Sequence, residues 1–313
     1  MIKKVIYGQS LREQLEASQK DKLYQFLLGE GTVRGVLLHA TKLVNEMQAN
    51  HETGIWETLI LGYAYLGALL LASSLKGQER LLFKLSCTGP LVGLEVEANS
   101  FGEVRGYLKA RQLPALGNLT CQNKIDLKPF WEEGSLRVIR YLEKAKAPFE
   151  GQVELTSGSF ALNLAYYLLQ SEQTPSACSL SIHLGKNGEV LGAGGLLIQA
   201  LPGATAATLK DLEKTVEELP SIGQEFAAGT SAQAFILSYL AKYCPEVLSE
   251  RRVAFMCHCS QERFKSYLKA LGKEELAKLV AEGPFPLRLT CYNCNTTYEY
   301  SQADLGKLLN ETP

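Results

Sequence analysis

Residues 81–110 read LLFKLSCTGPLVGLEVEANSFGEVRGYLKA. Three short β-prone runs, Leu81–Ser86, Leu91–Glu97 and Val104–Ala110, are separated by turn material, Cys87-Thr88-Gly89-Pro90 and Ala98-Asn99-Ser100. Two more runs follow at Leu136–Leu142 and Gly151–Leu155, then a helix over Ser159–Gln170 with Ser157 or Ser159 as its N-cap. Leu180–Leu184 and Leu196–Leu201 end the series as strands. Upstream, Leu23, Phe26 and Leu27 fall at helical spacing, Val33–His39 reads as extended, and Leu43, Val44 and Met47 mark a short helix. The uncharged stretch Leu59–Leu75, inside a helix spanning about residues 53–76, is flanked by Glu57 and Lys76 and fits a buried core helix better than a membrane span. Runs of strands with few interposed helices give an α+β fold with a largely antiparallel sheet rather than a doubly wound one.

The texture changes after Pro202-Gly203. Leu209, Leu212, Val216 and Leu219 form a thin apolar stripe in a charged segment, and Phe235, Ile236, Tyr239 and Leu240 form a second. Residues 206–253 therefore read as a charged helical linker with a modest core of its own, at the low-stability end of the molecule. The expected organisation is a polar N-terminal extension at 1–21, an α+β core domain at 22–205, the helical linker at 206–253 and a small C-terminal module at 254–313.

That module carries Cys257-His258-Cys259 and Cys291-Tyr292-Asn293-Cys294, with thirty-one intervening residues. Two close thiol pairs can converge on one tetrahedral metal, and zinc is the natural partner of four thiolates. The same thiols are also two ready-made disulfides. A closed four-sulfur set leaves no open position for an activated water, which argues against a hydrolytic zinc enzyme. A purely structural zinc site is the plain alternative, because a module of about 60 residues has a thin core without a metal. A disulfide from Cys257 to Cys259 across one residue is cramped, and departures from ideal geometry make such a bond more reducible. His258 reads as a bystander beside four thiols. Between the pairs, Phe264, Tyr267, Leu268 and Leu271 mark one short helix, and a second starts after Gly272.

Composition narrows the function classes. The chain has 313 residues, 46% of them apolar and 21% charged, with a formal net charge of −1. Neither nucleic acid nor an anionic membrane is favoured by that balance. The module repeats it: Arg263, Lys265, Lys269, Lys273, Lys278, Arg288 and Lys307 face Glu262, Glu274, Glu275, Glu282, Glu299, Asp304 and Glu311. A phosphate-gripping ribbon is basic, and this one is neutral. The N-terminal apolar run is too short for a secretory signal, so a cytoplasmic location is expected, where structural disulfides are rare. Cys87, Cys121, Cys178 and Cys244 stand singly and read as buried small hydrophobes. Gly192-Ala193-Gly194-Gly195 lacks the Lys-Ser/Thr of a phosphate loop and reads as a turn entering a strand. His39, His51 and His183 lack a recognisable partner, and no catalytic constellation is visible, so the protein is expected not to be an enzyme.

Taken together, these motifs resemble the heat-shock protein 33 family of redox-regulated chaperones. The resemblance rests on the Cys-x-Cys followed by Ser260, the spacer, and the Cys-x-x-Cys followed by Tyr298-Glu299-Tyr300. It also rests on Val33-Arg34-Gly35, Ser171-Glu172-Gln173-Thr174-Pro175 and the run from Ala193 to Pro202. It covers about residues 22 to 308. Asn295 stands where the family usually has glycine, and asparagine tolerates the left-handed backbone such a turn needs. The resemblance implies Cys257, Cys259, Cys291 and Cys294 as ligands of one zinc ion and as redox disulfides, Cys257 with Cys259 and Cys291 with Cys294. It implies an inactive reduced monomer. On oxidation this form loses zinc, unfolds the module and then the linker, and holds unfolding client proteins without ATP, with a homodimer as a further form of the active state. The folded module would be the neighbour that covers the linker's apolar stripes. The competing reading is a constitutive zinc-ribbon interaction protein, RNA-binding ones included.

Overall fold

The computed structural model describes residues 1–6, 21–111, 113–114 and 125–312. Two sheets face each other across one long helix. The first has five antiparallel strands in the order β10-β1-β2-β9-β8: β1 Lys22–Leu28, β2 Val33–His39, β8 Ser176–Leu184, β9 Val190–Ala200 and β10 Glu246–Arg252. The second has six, in the order β11-β5-β4-β3-β6-β7: β3 Arg80–Cys87, β4 Leu91–Asn99, β5 Glu103–Ala110, β6 Gly134–Tyr141, β7 Phe149–Glu154 and β11 Ala254–Phe255. The latter sheet is antiparallel except where β11 joins β5 in parallel. The fold is α+β, as the strand series predicted.

Helix α1 is Thr41–His51 and α2 is Ile55–Ala72. α2 is long and apolar enough to cross a membrane, yet 83% of it is buried inside the protein. Leu23, Val36 and Leu38 from the first sheet and Leu81, Phe83, Leu94 and Val96 from the second join it in one core. Being buried on all sides explains its uniformly apolar sequence. α3, Phe160–Glu172, is capped by Ser159, whose hydroxyl accepts from the Leu162 amide.

The linker supplies a second core. α4 is Ala206–Glu218, α5 Ile222–Ala227 and α6 Ala232–Leu240. Leu212, Val216, Ile222, Phe226, Phe235 and Ile236 bury against Tyr24, Phe26, Leu28, Leu37, Leu196 and Ile198, on the outer face of the five-stranded sheet. The stripes thus find the sheet, and not the cysteine module, as their neighbour. Sequence pattern shows that a stripe needs cover, and it carries nothing about which distant surface provides it.

Three element assignments change with this arrangement. Residues 22–28 form a strand, not a helix, because β1 is covered on both faces: Leu23 points into the first core, and Tyr24, Phe26 and Leu28 into the second. A strand buried on both sides loses its period-two signature. Residues 246–252 form strand β10 rather than part of a helix, an exposed edge strand whose partner is β1. Gly192, Gly194 and Gly195 lie inside β9 and not in a turn before it. A β-carbon at Gly192 would collide with the Gly223 carbonyl, and one at Gly194 with the Phe226 ring, so these glycines let α5 rest directly on the sheet.

The C-terminal part holds α7 Gln261–Ala270, α8 Lys273–Glu282, the hairpin β12 Leu287–Thr290 with β13 Thr297–Tyr300, and α9 Gln302–Glu311. Of the single cysteines, Cys87 and Cys178 are half-buried, and burial raises their thiols to about 11 and about 12. Cys244 is exposed, at a positive φ that ends the short turn after α6, which corrects the expectation of burial. Cys121 lies outside the described residues.

Candidate metal centre

Each cysteine pair sits on a tight turn entered from a strand. Cys257-His258-Cys259 follows β11 and leads to Ser260, whose hydroxyl caps α7 by accepting from the Arg263 amide at 3.2 Å. Cys291-Tyr292-Asn293-Cys294 joins β12 to β13. The Cys291 carbonyl accepts from the amides of Cys294 at 3.3 Å and Asn295 at 2.7 Å. Asn295 adopts φ 52°, the left-handed backbone its amide side chain tolerates.

The turns bring the four sulfurs of Cys257, Cys259, Cys291 and Cys294 within 4.8 Å of one another, all buried. Sγ of Cys257 is 3.8 Å from that of Cys291, and Sγ of Cys259 is 3.4 Å from that of Cys294. A tetrahedron with zinc–sulfur bonds of about 2.3 Å has edges of about 3.8 Å, whereas a disulfide needs about 2.05 Å. The spacing therefore fits a tetrathiolate metal site and not a bonded pair.

Charge leads to the same fit. The Cys291 and Cys294 thiols hydrogen-bond to Cys257 and hold it well below the ordinary thiol range, with help from Arg105. Donating to Cys257 keeps the other two protonated: that hydrogen bond pushes Cys291 up to about 11, and hydrogen bonds to Cys257 and Cys291 push Cys294 higher still. Four buried thiolates cannot coexist at neutral pH without a cation among them, and a dication supplies that need.

His258 turns away from the sulfurs: its Nε2 lies 2.8 Å from the Glu103 carboxylate, and its side chain is 62% exposed. His39 and His183 lie on β2 and β8, outside the cysteine cluster. His51 lies closer, with its ring 6.1 Å from that of Phe255, and burial lowers it to about 4, so it stands neutral beside the thiols.

Sequence reasoning missed the groups around the sulfurs. The Arg105 guanidinium on β5 donates to Sγ of Cys257 at 3.6 Å. The Thr296 hydroxyl is 3.3 Å from Sγ of Cys294, and the Tyr298 hydroxyl is 3.3 Å from Sγ of Cys259 and donates to the Cys259 carbonyl at 3.0 Å. Asn50 on α1, fully buried, donates to the Cys294 carbonyl at 2.9 Å and the Ile2 carbonyl at 3.0 Å, and accepts from the Lys4 amide at 3.0 Å. The Ile2 amide in turn donates to the Thr296 hydroxyl at 3.2 Å. Residues 1–6, read as part of a loosely patterned extension, thus lie against the second cysteine turn. Tyr107 and Tyr292 meet with ring centroids 5.7 Å apart, and the Gly106 amide donates to the Asn293 carbonyl. Thr296 and Tyr298 neighbour the Cys-x-x-Cys in sequence, but no local pattern marks Arg105 or Asn50.

Comparison with known proteins agrees with this geometry. The family model described as Hsp33 protein matches residues 21–301. The 33 kDa chaperonin of Enterococcus faecalis is 34% identical over 93% of this chain and 97% of its own length. That of Lactiplantibacillus plantarum is 35% identical over 93% and 98%. The crystal structure of the 33 kDa chaperonin from Thermotoga maritima superposes with a TM-score of 0.81 at 29% identity, covering 94% of this chain and 99% of that one. The extent of these matches, with four clustered cysteines at the C-terminal end, makes this chain a member of the Hsp33 family of chaperones.

Proposed function

We propose that this protein is a cytoplasmic, thiol-switched holdase that binds one zinc ion through Cys257, Cys259, Cys291 and Cys294 and is inactive while reduced. The observation that carries the reading is the buried tetrad of sulfurs within 4.8 Å in a chain of this family. Bound zinc keeps all four sulfurs as thiolates, the form that oxidants attack. Two thiolates give two electrons to one hydroperoxide. A sulfur–sulfur bond forms, the O–O bond breaks, and two protons are taken up to give two waters when the oxidant is hydrogen peroxide. With the pairing Cys257–Cys259 and Cys291–Cys294, two peroxides consume the tetrad. Disulfide sulfurs are neutral and make poor ligands, so the module loses metal stabilisation on the order of 10 kcal/mol and unfolds.

Loss of the module is followed by loss of α4, α5 and α6. Their departure uncovers Tyr24, Phe26, Leu37, Leu196 and Ile198 on the five-stranded sheet, while their own apolar stripes are freed. Both surfaces then hold apolar segments of unfolding clients, and holding a client off the aggregation path requires no catalytic residue. The test is to treat zinc-loaded protein with hydrogen peroxide at mildly elevated temperature and follow zinc release together with suppression of a client's aggregation. Zinc release with a gain in suppression is expected. Metal that stays bound, or equal suppression before and after oxidation, sinks the reading.

A further inference from the structure

The cysteine module and the linker are covered by different surfaces, so a thiol switch needs a physical link between them. The chain provides one at residues 246–258. β10 pairs with β1 at the edge of the first sheet, Val253 follows, β11 pairs with β5 at the edge of the second, and Cys257 comes two residues later. Holding the run against β5 are the Ala254 amide to the Gly102 carbonyl and the Met256 amide to the Val104 carbonyl, each at 3.0 Å. A two-residue strand does not hold itself in place.

Arg105, the residue after Val104, reaches across this edge. One arm of its guanidinium donates to Sγ of Cys257 at 3.6 Å and the other meets Glu97 at 3.0 Å. Glu97 also meets Arg80 at 3.3 Å, so two guanidiniums share one carboxylate. The side chain of Arg105 is only 19% exposed, so its charge is balanced close by, by Glu97 and by the nearby Glu103. As a thiolate, Cys257 is a further anion on the same guanidinium. When Cys257 shares an electron pair with a second sulfur, its charge is gone and the hydrogen bond loses its charge-assisted character.

We propose that Arg105 is a positioning residue that ties β11 to the core sheet only while Cys257 is a thiolate, and so passes the redox state of the thiols to β10 and the linker. This rests on the thiol-switch reading above. Its redox step is the same one: two thiolate electrons pass to a hydroperoxide, whose O–O bond breaks.

The test is amide hydrogen exchange of residues 246–258 in full-length protein, wild type, Arg105→Gln and Arg105→Lys, each zinc-loaded and reduced, and each fully oxidised by hydrogen peroxide. Zinc content is measured on every sample. In the reduced state, R105Q should speed exchange of the Ala254 and Met256 amides by about tenfold or more, the size of one charge-assisted hydrogen bond. R105K should recover part of the protection, and after oxidation all three proteins should exchange alike. Unchanged exchange in reduced R105Q overturns the proposal. So does an increase that persists equally after oxidation, which marks a structural role in β5, or a zinc content below that of wild type, which marks a role in holding the ligands. If wild type keeps its protection after complete oxidation, the switch reading fails, while the reduced-state comparison still decides whether Arg105 holds β11.

Discussion

Asn50 shows how the site is built at the scale of single residues. Its side-chain amide ties α1 to the Cys294 carbonyl and to the backbone at Ile2 and Lys4, and the Asn295 side chain returns a bond of 3.0 Å to the Asn50 carbonyl. Buried polar groups left without partners cost more than the bonds themselves contribute, so Asn50→Ala should destabilise the docked module by about 1–3 kcal/mol. The measurement is the urea midpoint for zinc loss from the reduced protein, expected to fall; an unchanged midpoint would mean that the Asn50 contacts do not hold the second cysteine turn. The four cysteines differ from Asn50 in how far they show in the sequence. The four sulfurs were legible because their spacing is local within each turn and their chemistry is nearly unique to metal or redox sites. Asn50 and Arg105 were not, because each acts across the fold: the bond from Arg105 to Cys257 spans 152 residues and that from Asn50 to Cys294 spans 244. A polar residue in a short helix or an alternating strand looks the same in sequence whether it faces solvent or a thiolate.

Among elements, those whose apolar pattern or composition is strong were read correctly, and those whose pattern is blurred or missing were not. β3, β4 and β5 alternate as expected, and α2 carries its burial in its composition. β1 fails as a sequence signal because both its faces are covered, and β10 because as an exposed edge it has almost no apolar pattern at all. The glycines of β9 reflect the contact with α5 rather than a turn. The linker elements hold mainly by their apolar faces, with the Ser181 hydroxyl accepting from the Gly223 amide at 3.1 Å as a polar tie to the sheet. Phe235 is fully buried there, with its ring 4.8 Å from that of Tyr239 and 6.1 Å from that of Phe226. Phe235→Ala should cost about 3–5 kcal/mol of the packing that holds the linker on the sheet. The reduced, zinc-loaded variant should therefore suppress client aggregation without oxidant. If it is as inactive as the reduced wild type, the linker does not mask the client surface.

In the whole molecule, the α+β class was legible because strand runs, turn residues and helical stretches occur in chain order. The three-dimensional relation of the parts was not. The linker packs on the five-stranded sheet, and the cysteine module packs on the edge of the six-stranded one and on α1. One continuous path between the two contacts is the run through β10 and β11; a second runs from β2 into α1, where Asn50 meets the Cys294 carbonyl. On the proposed function, the switch would work by undoing an edge, and the client surface would be the outer face of a sheet that itself stays folded. Hydrogen exchange of zinc-loaded protein before and after complete peroxide oxidation, with thiols and free zinc counted in the same samples, tests this most directly. The account predicts that amides in α4, α5 and α6 lose protection together after oxidation, while those in α2, β3 and β4 keep it. Full consumption of the four thiols and full release of zinc, with α4, α5 and α6 as protected as before, would contradict it.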